Sequence, residues 1–164
     1  HALPDRFVLL VGTLEPRKNL ARLAAAVARL DESIPLVVVG ASGWGDAVPA
    51  GDHVRFLGFV DAADLPALYA SATVFAYPSL QEGFGMPILE AMAHGLPCIG
   101  SVHDAAGDVI VDGVTGFLVP QDDPRVIADR VVRGIKRGDF WILPHPDFQP
   151  GVPARAQAIL SCSR

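Results

Sequence analysis

The sequence predicts an α/β fold: a parallel sheet, doubly wound in the Rossmann-like manner, with helices on both faces. The main observation is that short apolar runs alternate along the chain with amphipathic helical patterns. The runs are continuously apolar, as expected of parallel strands that helices cover on both faces. Because the crossover between two parallel strands is right-handed, few other layouts are compatible with this alternation.

Six apolar runs are predicted to be strands. The first, FVLLV, ends at Gly12, and the second, LVVV, ends at Gly40. The predicted strands cover residues 7–11, 36–39, 54–57, 73–77, 97–100 and 115–119. In sheets of this kind a ligand binds at the carboxyl ends of the strands, so the loops that follow the strands are where a site is expected.

Four segments have helical patterns. RKNLARLAAAVARL, residues 17–30, follows Pro16 and places its apolar side chains on one stripe, as in a helix with one buried face. Further helices are predicted from Asp61 onward, over residues 87–94 with Pro87 at the first helical position, and over residues 122–138.

The composition is that of one well-buried globular domain. The chain has 164 residues, of which 51% are hydrophobic and 19% charged, and its net charge is -5. Without a long basic run it is not expected to bind nucleic acid. Cys98 and Cys162 have no disulfide or metal-ligand spacing, which favours a reducing, cytoplasmic location. No apolar stretch approaches the roughly 18 residues of a transmembrane helix, and the absence of a starting methionine suggests a fragment.

The stretch QEGFGMPILE places a carboxylate and two glycines just before a predicted helix. Gly83 and Gly85 allow a ligand to approach the backbone closely, and the amides of Ile88 and Leu89 are predicted to be free at the helix start. Glu82 and Glu90 at this mouth are better suited to accept sugar hydroxyls than to face bare phosphate. The spacing is equally compatible with an ordinary turn, a solvated Glu82 and a Glu90 that interacts with the helix dipole.

The segment GTLEPRKNL places Arg17 and Lys18 after the first strand, on the same sheet edge as the Glu82 loop. Two adjacent cations could clamp a diphosphate there. The alternative, a solvated start of a helix, is disfavoured because cations at a helix N-terminus oppose its dipole.

Several segments resemble, in order, one family. VGTLEPRKNL, LVVVGASGWGD, VRFLGFVDAADLPALYASATVFAYPSLQEGFGMPILEAMAHGLPCIGS and DGVTGFLVP are similar to the C-terminal, donor-binding domain of retaining GT-B glycosyltransferases, a group that includes sucrose synthases and lipopolysaccharide mannosyltransferases. The resemblance covers about residues 7–120. It implies metal-independent transfer of a hexosyl unit, possibly mannosyl, from a GDP- or UDP-linked sugar to an acceptor, with retained anomeric configuration and no cofactor.

The resemblance also implies roles for individual residues. Arg17 and Lys18 would bind the donor diphosphate and stabilise charge on it as it leaves. Glu82 and the amides of Gly83 to Gly85 would meet the donor sugar, Glu90 the ribose hydroxyls, and the main chain near Phe59 and Val60 the base. The expected catalytic residues are Glu82, Arg17 and Lys18. The expected substrate-binding residues are Gly12, Arg17, Lys18, Phe59, Val60, Glu82, Gly83, Phe84, Gly85, Met86 and Glu90.

The chain departs from the family pattern in two places. HDAAGDVI stands where the family often has Gly-Gly-x-Pro-Glu, with Asp108 near the usual Glu. We expect the N-terminal acceptor domain of the family to be missing from this chain, so that the chain alone binds donor weakly and transfers little. The parent enzyme is expected in the cytoplasm, with peripheral association at the cytoplasmic face of a membrane as a further option.

The tail, residues 121–164, resembles the C-terminal end of short-chain dehydrogenases through DPRVIADRVVRGIKRGDFWILPHPDF and ARAQAIL. We therefore divide the chain into a nucleotide-sugar-binding domain, residues 1–120, and an atypical tail that a fusion or gene-model artefact would explain. The dehydrogenase cofactor loop and its Tyr-x-x-x-Lys pair do not occur, so the tail implies no oxidoreductase activity.

Other interpretations of the sequence stay open or lack support. A non-catalytic nucleotide-sugar-binding or orphan domain is the main alternative, and an NAD-linked dehydrogenase is a remote one. The scattered histidines have no metal-ligand spacing. Trp44 is expected either to pack over a nucleobase or to cap the core. Ser79 and Ser101 have no evident His-acid partner for a hydrolase triad.

Overall fold

Six strands form one parallel sheet in a computed structural model that describes residues 3–30, 34–44, 51–103 and 105–137. The strands are β1 (Val8–Val11), β2 (Leu36–Val39), β3 (Val54–Gly58), β4 (Val74–Tyr77), β5 (Cys98–Ser101) and β6 (Gly116–Val119), and their order in the sheet is β3-β2-β1-β4-β5-β6. Every residue of β1, β2, β4 and β5 is buried, whereas the edge strand β3 is partly exposed. The continuous apolar runs therefore form strands, and the predicted Rossmann-like doubly wound fold is confirmed.

Helices cover both faces of the sheet. They are α1 (Leu20–Val27), α2 (Leu65–Ser71), α3 (Met86–Ala93), α4 (Ala106–Val109) and α5 (Pro124–Arg137). Helix α5 contacts α1 and strands β4 to β6, and α3 contacts β4, β5 and α4. Alternation along β4 explains this layering, because Val74 lies close to Gly134 of α5 while Phe75 contacts Tyr69 of α2.

The predicted helix over residues 17–30 is wrong at its start. Residues Pro16–Lys18 form a 3-10 turn, and α1 begins only after Asn19, whose φ of 57° is left-handed. Asparagine tolerates this conformation better than most residues. The side-chain amide of Asn19 fixes it by donating to the carbonyls of Pro78, at 2.9 Å, and Gln121, at 2.7 Å. Arg17 and Lys18 thus lie outside the helix that was predicted to contain them.

Smaller differences affect three other elements. Helix α2 begins at Leu65 rather than at Asp61, and α3 is shifted by one residue, from 87–94 to Met86–Ala93. Helix α4 was not predicted, since its four residues, AGDV, are too few to show a helical period. It packs closely on β5 at Gly100, where an added Cβ would come within 2.5 Å of the Ala106 methyl group.

The order of the strands creates one place where the loops diverge. The chain proceeds from β1 outward to β3, returns to β4 beside β1, and continues outward to β6. Loops that follow β1 and β4 therefore leave the sheet in opposite directions and open a crevice between them, which is where doubly wound sheets bind ligands. Within the described residues, no helix is both long and apolar enough to cross a membrane.

Helix α5 belongs to the same hydrophobic core as the sheet. Its buried side chains, Ile127, Ala128 and Val131, join the core cluster with the residues of β4 to β6. The division of the chain at Pro120 remains a prediction, and the dehydrogenase-like part of the tail beyond residue 137 lies outside the described residues.

Shortening Ile127 to valine is expected to lower the free energy of unfolding by about 1 kcal/mol, because a fully buried methylene is lost from the core. Arg133→Ala is the control on the same helix: Arg133 is exposed and paired with Asp129, so its loss should change stability by less than about 0.5 kcal/mol. Urea denaturation followed by circular dichroism measures both. Equal effects of the two substitutions would show that α5 does not pack on the sheet in solution.

Candidate functional site

The loops that follow β1 and β4 meet at the crevice through Arg17, Lys18 and Glu82. The main chain joins these loops directly, because the amide of Leu80 donates to the carbonyl of Arg17 at 2.7 Å. The predicted juxtaposition of the two cations with the Glu82 loop is therefore present. The three side chains are joined by hydrogen bonds, and we call them the Lys18 cluster.

Lys18 is a buried cation with two fixed hydrogen bonds. Its residue is 5% exposed, and its Nζ atom donates to Glu82 Oε1 at 2.6 Å and to the hydroxyl of Tyr77. The same atom lies 4.6 Å from the centroid of the Tyr77 ring. An ammonium group has three N–H donors. Within the described residues, one N–H of Lys18 therefore has no acceptor.

Arg17 is more exposed and extends along the other side of Glu82. Its Nε donates to Glu15 Oε2 at 2.5 Å, and Nη1 donates to Glu82 Oε1 at 2.8 Å. The hydrogen bond to Glu15, opposed by burial and reinforced by Glu82, raises the pKa of Arg17 above its ordinary value. Nη2 has no partner among the residues that the structure describes, so its N–H groups are available to an anion.

Glu82 uses only one of its two carboxylate oxygens. Oε1 accepts hydrogen bonds from Arg17, Lys18 and Ser79, the last at 3.0 Å. Burial raises the pKa of Glu82, but the hydrogen bond and charge of Lys18, together with Ser79 and Arg17, outweigh it and hold the pKa below its ordinary value. Oε2 accepts no hydrogen bond from the described part of the chain. Glu82 is thus an ionised carboxylate with one free acceptor.

The glycine turn places backbone donors beside this cluster, though not the predicted ones. Gly85 has a left-handed φ of 74°, and its carbonyl accepts from the amides of Ile88, at 2.9 Å, and Leu89, at 3.4 Å. The prediction that these two amides are free is wrong, because α3 starts one residue earlier than predicted and Gly85 caps it. The amide of Met86 and those of residues 83–85 donate to no described group. The Phe84 and Met86 side chains are exposed at this mouth.

Gly12 lies under Lys18 at the end of β1. A Cβ atom at this position would stand 3.3 Å from Lys18 Cε and 3.5 Å from the Tyr77 hydroxyl. A side chain at this position would crowd the end of Lys18, and the φ of 152° at Gly12 also favours glycine. Gly12 thus lies next to Lys18 and Tyr77, and its role in substrate binding stays a prediction.

Glu90 belongs to a second cluster on α3. Its Oε2 accepts a hydrogen bond from the Tyr69 hydroxyl of α2 at 2.9 Å, and the Tyr69 ring stacks on His94 with a centroid separation of 5.3 Å. Burial and the neighbouring Glu90 raise the pKa of Tyr69, so its hydroxyl stays protonated as a donor. Oε1 of Glu90, like Oε2 of Glu82, has no hydrogen-bond partner among the described residues.

Phe59 and Val60 lie at the end of the edge strand β3, away from the Lys18 cluster. Phe59 is 74% exposed and, with Val60 and Leu68, lines an open cavity of about 540 Å³ between β3 and α2. Helix α2 thus connects the two peripheral parts of the site, since Leu68 faces this cavity and the adjacent Tyr69 holds Glu90. The predicted site residues therefore extend from the Lys18 cluster, by way of α2, to the end of β3, and they do not surround a single point.

Several residues that shape the site were missed from the sequence. Tyr77 and Tyr69 were not singled out, and Ser79 was considered only as a nucleophile, whereas its hydroxyl donates to Glu82. Gln121 donates to the carbonyls of Ser79 and Leu80, both at 3.0 Å, and so supports the same loop. The position of Tyr77 and Ser79 at the carboxyl end of β4 was the available signal. Trp44 is 71% exposed, which excludes the interpretation that it caps the core.

Comparison with known sequences gives a consistent result. The family model for glycosyl transferases group 1 matches residues 1–139. The chain is 37% identical over 147 residues to the O-antigen chain mannosyltransferase B of Escherichia coli, covering 82% of this chain and 38% of that protein. It is 41% identical over 160 residues to the phosphatidyl-myo-inositol mannosyltransferase of Mycolicibacterium smegmatis, covering 92% of this chain and 39% of that protein.

Solved structures share the fold. HepE of Anabaena, in complex with UDP-glucose, superposes with a TM-score of 0.72 and 27% identity over 80% of this chain and 40% of that one. Sucrose-phosphate synthase of Thermosynechococcus elongatus gives a TM-score of 0.73 and 31% identity over 83% of this chain and 38% of that one. The chain spans about two-fifths of the length of these relatives. With a family model that covers most of its length and a sheet that matches those structures, this chain belongs to the glycosyl transferases group 1 family.

Proposed function

We propose that this domain binds a nucleotide-sugar at the crevice between the loops after β1 and β4, and that it is the donor half of a retaining hexosyltransferase. The observation that carries the proposal is the Lys18 cluster at the switch point of the sheet: two cations with N–H groups, and a carboxylate with one oxygen, that pair with no described residue. The acceptor site would be formed by the part of the parent enzyme that corresponds to the remaining length of its relatives.

The diphosphate of the donor would bind to Lys18 and Arg17. Charge-assisted hydrogen bonds from an ammonium and a guanidinium suit phosphate oxygens, and the amides at the mouth of α3 offer further donors. As the sugar leaves, negative charge grows on the diphosphate, and fixed cations stabilise it without a metal ion. Glu15 and Glu82 offset the two positive charges, so the cluster binds by hydrogen-bond geometry more than by net charge.

The donor sugar would lie against Glu82 and the glycine turn. The free Oε2 of Glu82 is an ionised acceptor that can take one or two sugar hydroxyl donors, and Gly83 leaves space, since a Cβ at this position would meet nothing within 4 Å. The two curated relatives are named mannosyltransferases, and HepE holds UDP-glucose. These names support a hexose, either mannose or glucose, and we propose that it is linked to GDP or UDP.

The nucleoside would extend from Glu90 toward β3. The free Oε1 of Glu90 would accept from the ribose hydroxyls, and the main chain of Phe59 and Val60 beside the open cavity would meet the base. A base at this position would leave the diphosphate at the centre of the sheet, where β1 and β4 are neighbours.

Cys98, a buried free thiol, is compatible with the cytoplasmic location that we also propose.

Titration calorimetry with UDP and GDP tests the donor site. We expect the chain to bind one of them and Lys18→Ala to weaken that binding by roughly 10- to 100-fold, as for the loss of a hydrogen bond to a charged group. Lys136→Ala is the matched control, because Lys136 is exposed on α5 and is the only other lysine in the sequence. Circular dichroism verifies that each variant is folded.

Two results would contradict the proposal. Wild-type protein that binds neither nucleotide at millimolar concentration would remove the donor site. Equal affinities of the wild type and the folded Lys18→Ala variant would place the nucleotide elsewhere on the domain. Binding with no transfer in a chain extended to the full length of its relatives would instead favour the non-catalytic alternative.

A further inference from the structure

Tyr77 is the last residue of β4, and its hydroxyl meets the ammonium of Lys18. It is fully buried, accepts a hydrogen bond from Lys18 Nζ, and places its ring 4.6 Å from that atom. The Gly12 backbone lies close to both groups, since an added Cβ would stand 3.3 Å from Lys18 Cε and 3.5 Å from the Tyr77 hydroxyl. The ammonium is thereby enclosed between an aromatic ring, a hydroxyl and the carboxylate of Glu82.

The position of Tyr77 is itself set by the core of the sheet. Its ring stacks on Phe75 with a centroid separation of 5.7 Å, and Phe75 in turn contacts Tyr69 at 5.8 Å. Burial, followed by the charge of Glu82, raises the pKa of Tyr77, so the hydroxyl is neutral at any ordinary pH. Lys18 therefore hydrogen-bonds to a neutral oxygen on a rigid strand rather than to a second anion.

The two hydrogen bonds of Lys18 determine the direction of the third N–H group. The ammonium sits on a flexible four-carbon stem, and one hydrogen bond leaves that stem free to swing about the contact. A second hydrogen bond fixes the position of the nitrogen atom together with the rotation about its last bond. With Tyr77 and Glu82 both bound, the remaining N–H has a single direction available for a ligand.

We propose that Tyr77 is a positioning residue that orients the Lys18 ammonium toward the diphosphate of the donor. The inference rests on the proposed function and adds a residue to it, since Tyr77 lies behind Lys18 and would not touch the nucleotide. The hydroxyl does the orienting, because it is the atom of Tyr77 that accepts the hydrogen bond.

The test is Tyr77→Phe, which removes the hydroxyl and keeps the ring. We expect it to weaken binding of inorganic pyrophosphate, and of UDP or GDP, by roughly 10-fold in titration calorimetry. Uridine or guanosine, which lack phosphate, should bind as to the wild type. Tyr69→Phe is the matched control: it removes the hydroxyl of the other tyrosine, which is equally buried, and should leave pyrophosphate affinity unchanged.

An NMR spectrum of the lysine side chains distinguishes a change in the orientation of the Lys18 ammonium from a general loss of structure. Lys18 and Lys136 are the only lysines, so protein labelled with [ε-13C]lysine gives two signals. The buried, hydrogen-bonded Lys18 should give a signal distinct from that of the exposed Lys136. In Tyr77→Phe the ring remains, so movement of the Lys18 signal toward that of Lys136 shows that the ammonium has left its place.

The outcomes are distinct. Wild-type protein that binds pyrophosphate and nucleotide while Tyr77→Phe binds them equally well, with an unmoved Lys18 signal, would overturn this inference and leave the proposed function intact. If the wild type binds no nucleotide, both the proposed function and the positioning role of Tyr77 are overturned. If Tyr77→Phe and Tyr69→Phe lost similar amounts of pyrophosphate affinity, the effect would come from packing and not from the contact between Tyr77 and Lys18.

Discussion

Replacing Glu82 by glutamine is expected to lower stability and, at the same time, to strengthen binding of pyrophosphate. In the folded protein one oxygen of Glu82 accepts from Lys18, Arg17 and Ser79. Glutamine keeps an acceptor but removes the counter-charge of a buried ammonium, which should cost about 2–4 kcal/mol in urea denaturation. The cluster also changes from two cations and two carboxylates to an excess of one positive charge, so pyrophosphate should bind at least about threefold more tightly at low salt.

The stability difference between wild type and Glu82→Gln should depend on pH. Because the pKa of Glu82 is lowered on folding, the unfolded chain binds more protons between the folded-state value and the ordinary value of about 4.5. The stability that Glu82 provides is therefore complete above the ordinary value and is lost as the pH falls through the folded-state pKa. Denaturation at pH 7 and at about pH 3 measures this, and the two proteins should converge in acid.

Asp129→Asn provides the control for these measurements. Asp129 is paired with Arg133 on the exposed surface of α5, so its replacement should alter stability by less than about 0.5 kcal/mol. If Glu82→Gln left both the stability and its pH dependence as in the wild type, the ion pairs of Glu82 would not exist in solution. If pyrophosphate affinity fell instead of rising, the anion would depend on Glu82 rather than compete with it.

Replacing Gly40 by alanine is expected to destabilise the fold by about 3 kcal/mol or more. Gly40 follows β2 with a φ of 149°, and an added Cβ would stand 2.0 Å from the carbonyl oxygen of Gly12 and 2.6 Å from its carbonyl carbon. Both obstacles are backbone, so no side chain can rotate away. Relief would require separating the ends of β1 and β2, which the amide of Gly12 joins by donating to the carbonyl of Val39 at 2.8 Å.

Gly95→Ala isolates the steric part of that effect. Gly95 lies two residues after the end of α3 and has a positive φ of 75°, but a Cβ there would meet nothing within 4 Å. Its replacement should cost only the conformational preference of an L-residue, about 1–2 kcal/mol. Urea denaturation of both variants decides the point, and a Gly40→Ala protein as stable as Gly95→Ala would mean that the loops after β1 and β2 separate at little cost.

The fold could be predicted because its signals are local. Continuous apolar runs identify β1, β2, β4 and β5, since burial on both faces leaves no alternation to read. Helix α4 could not be predicted, because four residues carry no period. The predicted start of α1 was wrong because the left-handed conformation of Asn19 is fixed by hydrogen bonds to the carbonyls of Pro78 and Gln121. No local pattern in the sequence reveals these two contacts.

The site was predicted in outline for a topological reason. Loops that follow parallel strands emerge at one edge, so Arg17, Lys18 and Glu82 were expected together, and the structure confirms that they contact each other. What the sequence could not supply is the pairing of β1 with β4, on which the contact between Lys18 and Tyr77 depends. The separate roles of the ligand-binding residues stay predictions.

Gln121 gives the region after Pro120 a direct connection to the centre of the molecule. Its carbonyl accepts from Asn19, beyond β1, while its side-chain amide donates to the loop that carries Glu82. Gln121 thus joins the loop after β1 to the loop after β4 by hydrogen bonds to both. Any recombination that exchanged the chain downstream of Pro120, whether in evolution or in the construction of chimeric enzymes, would have to supply an equivalent amide at its first position. Junctions placed beyond Gln121 are therefore the ones that should preserve the geometry of the crevice.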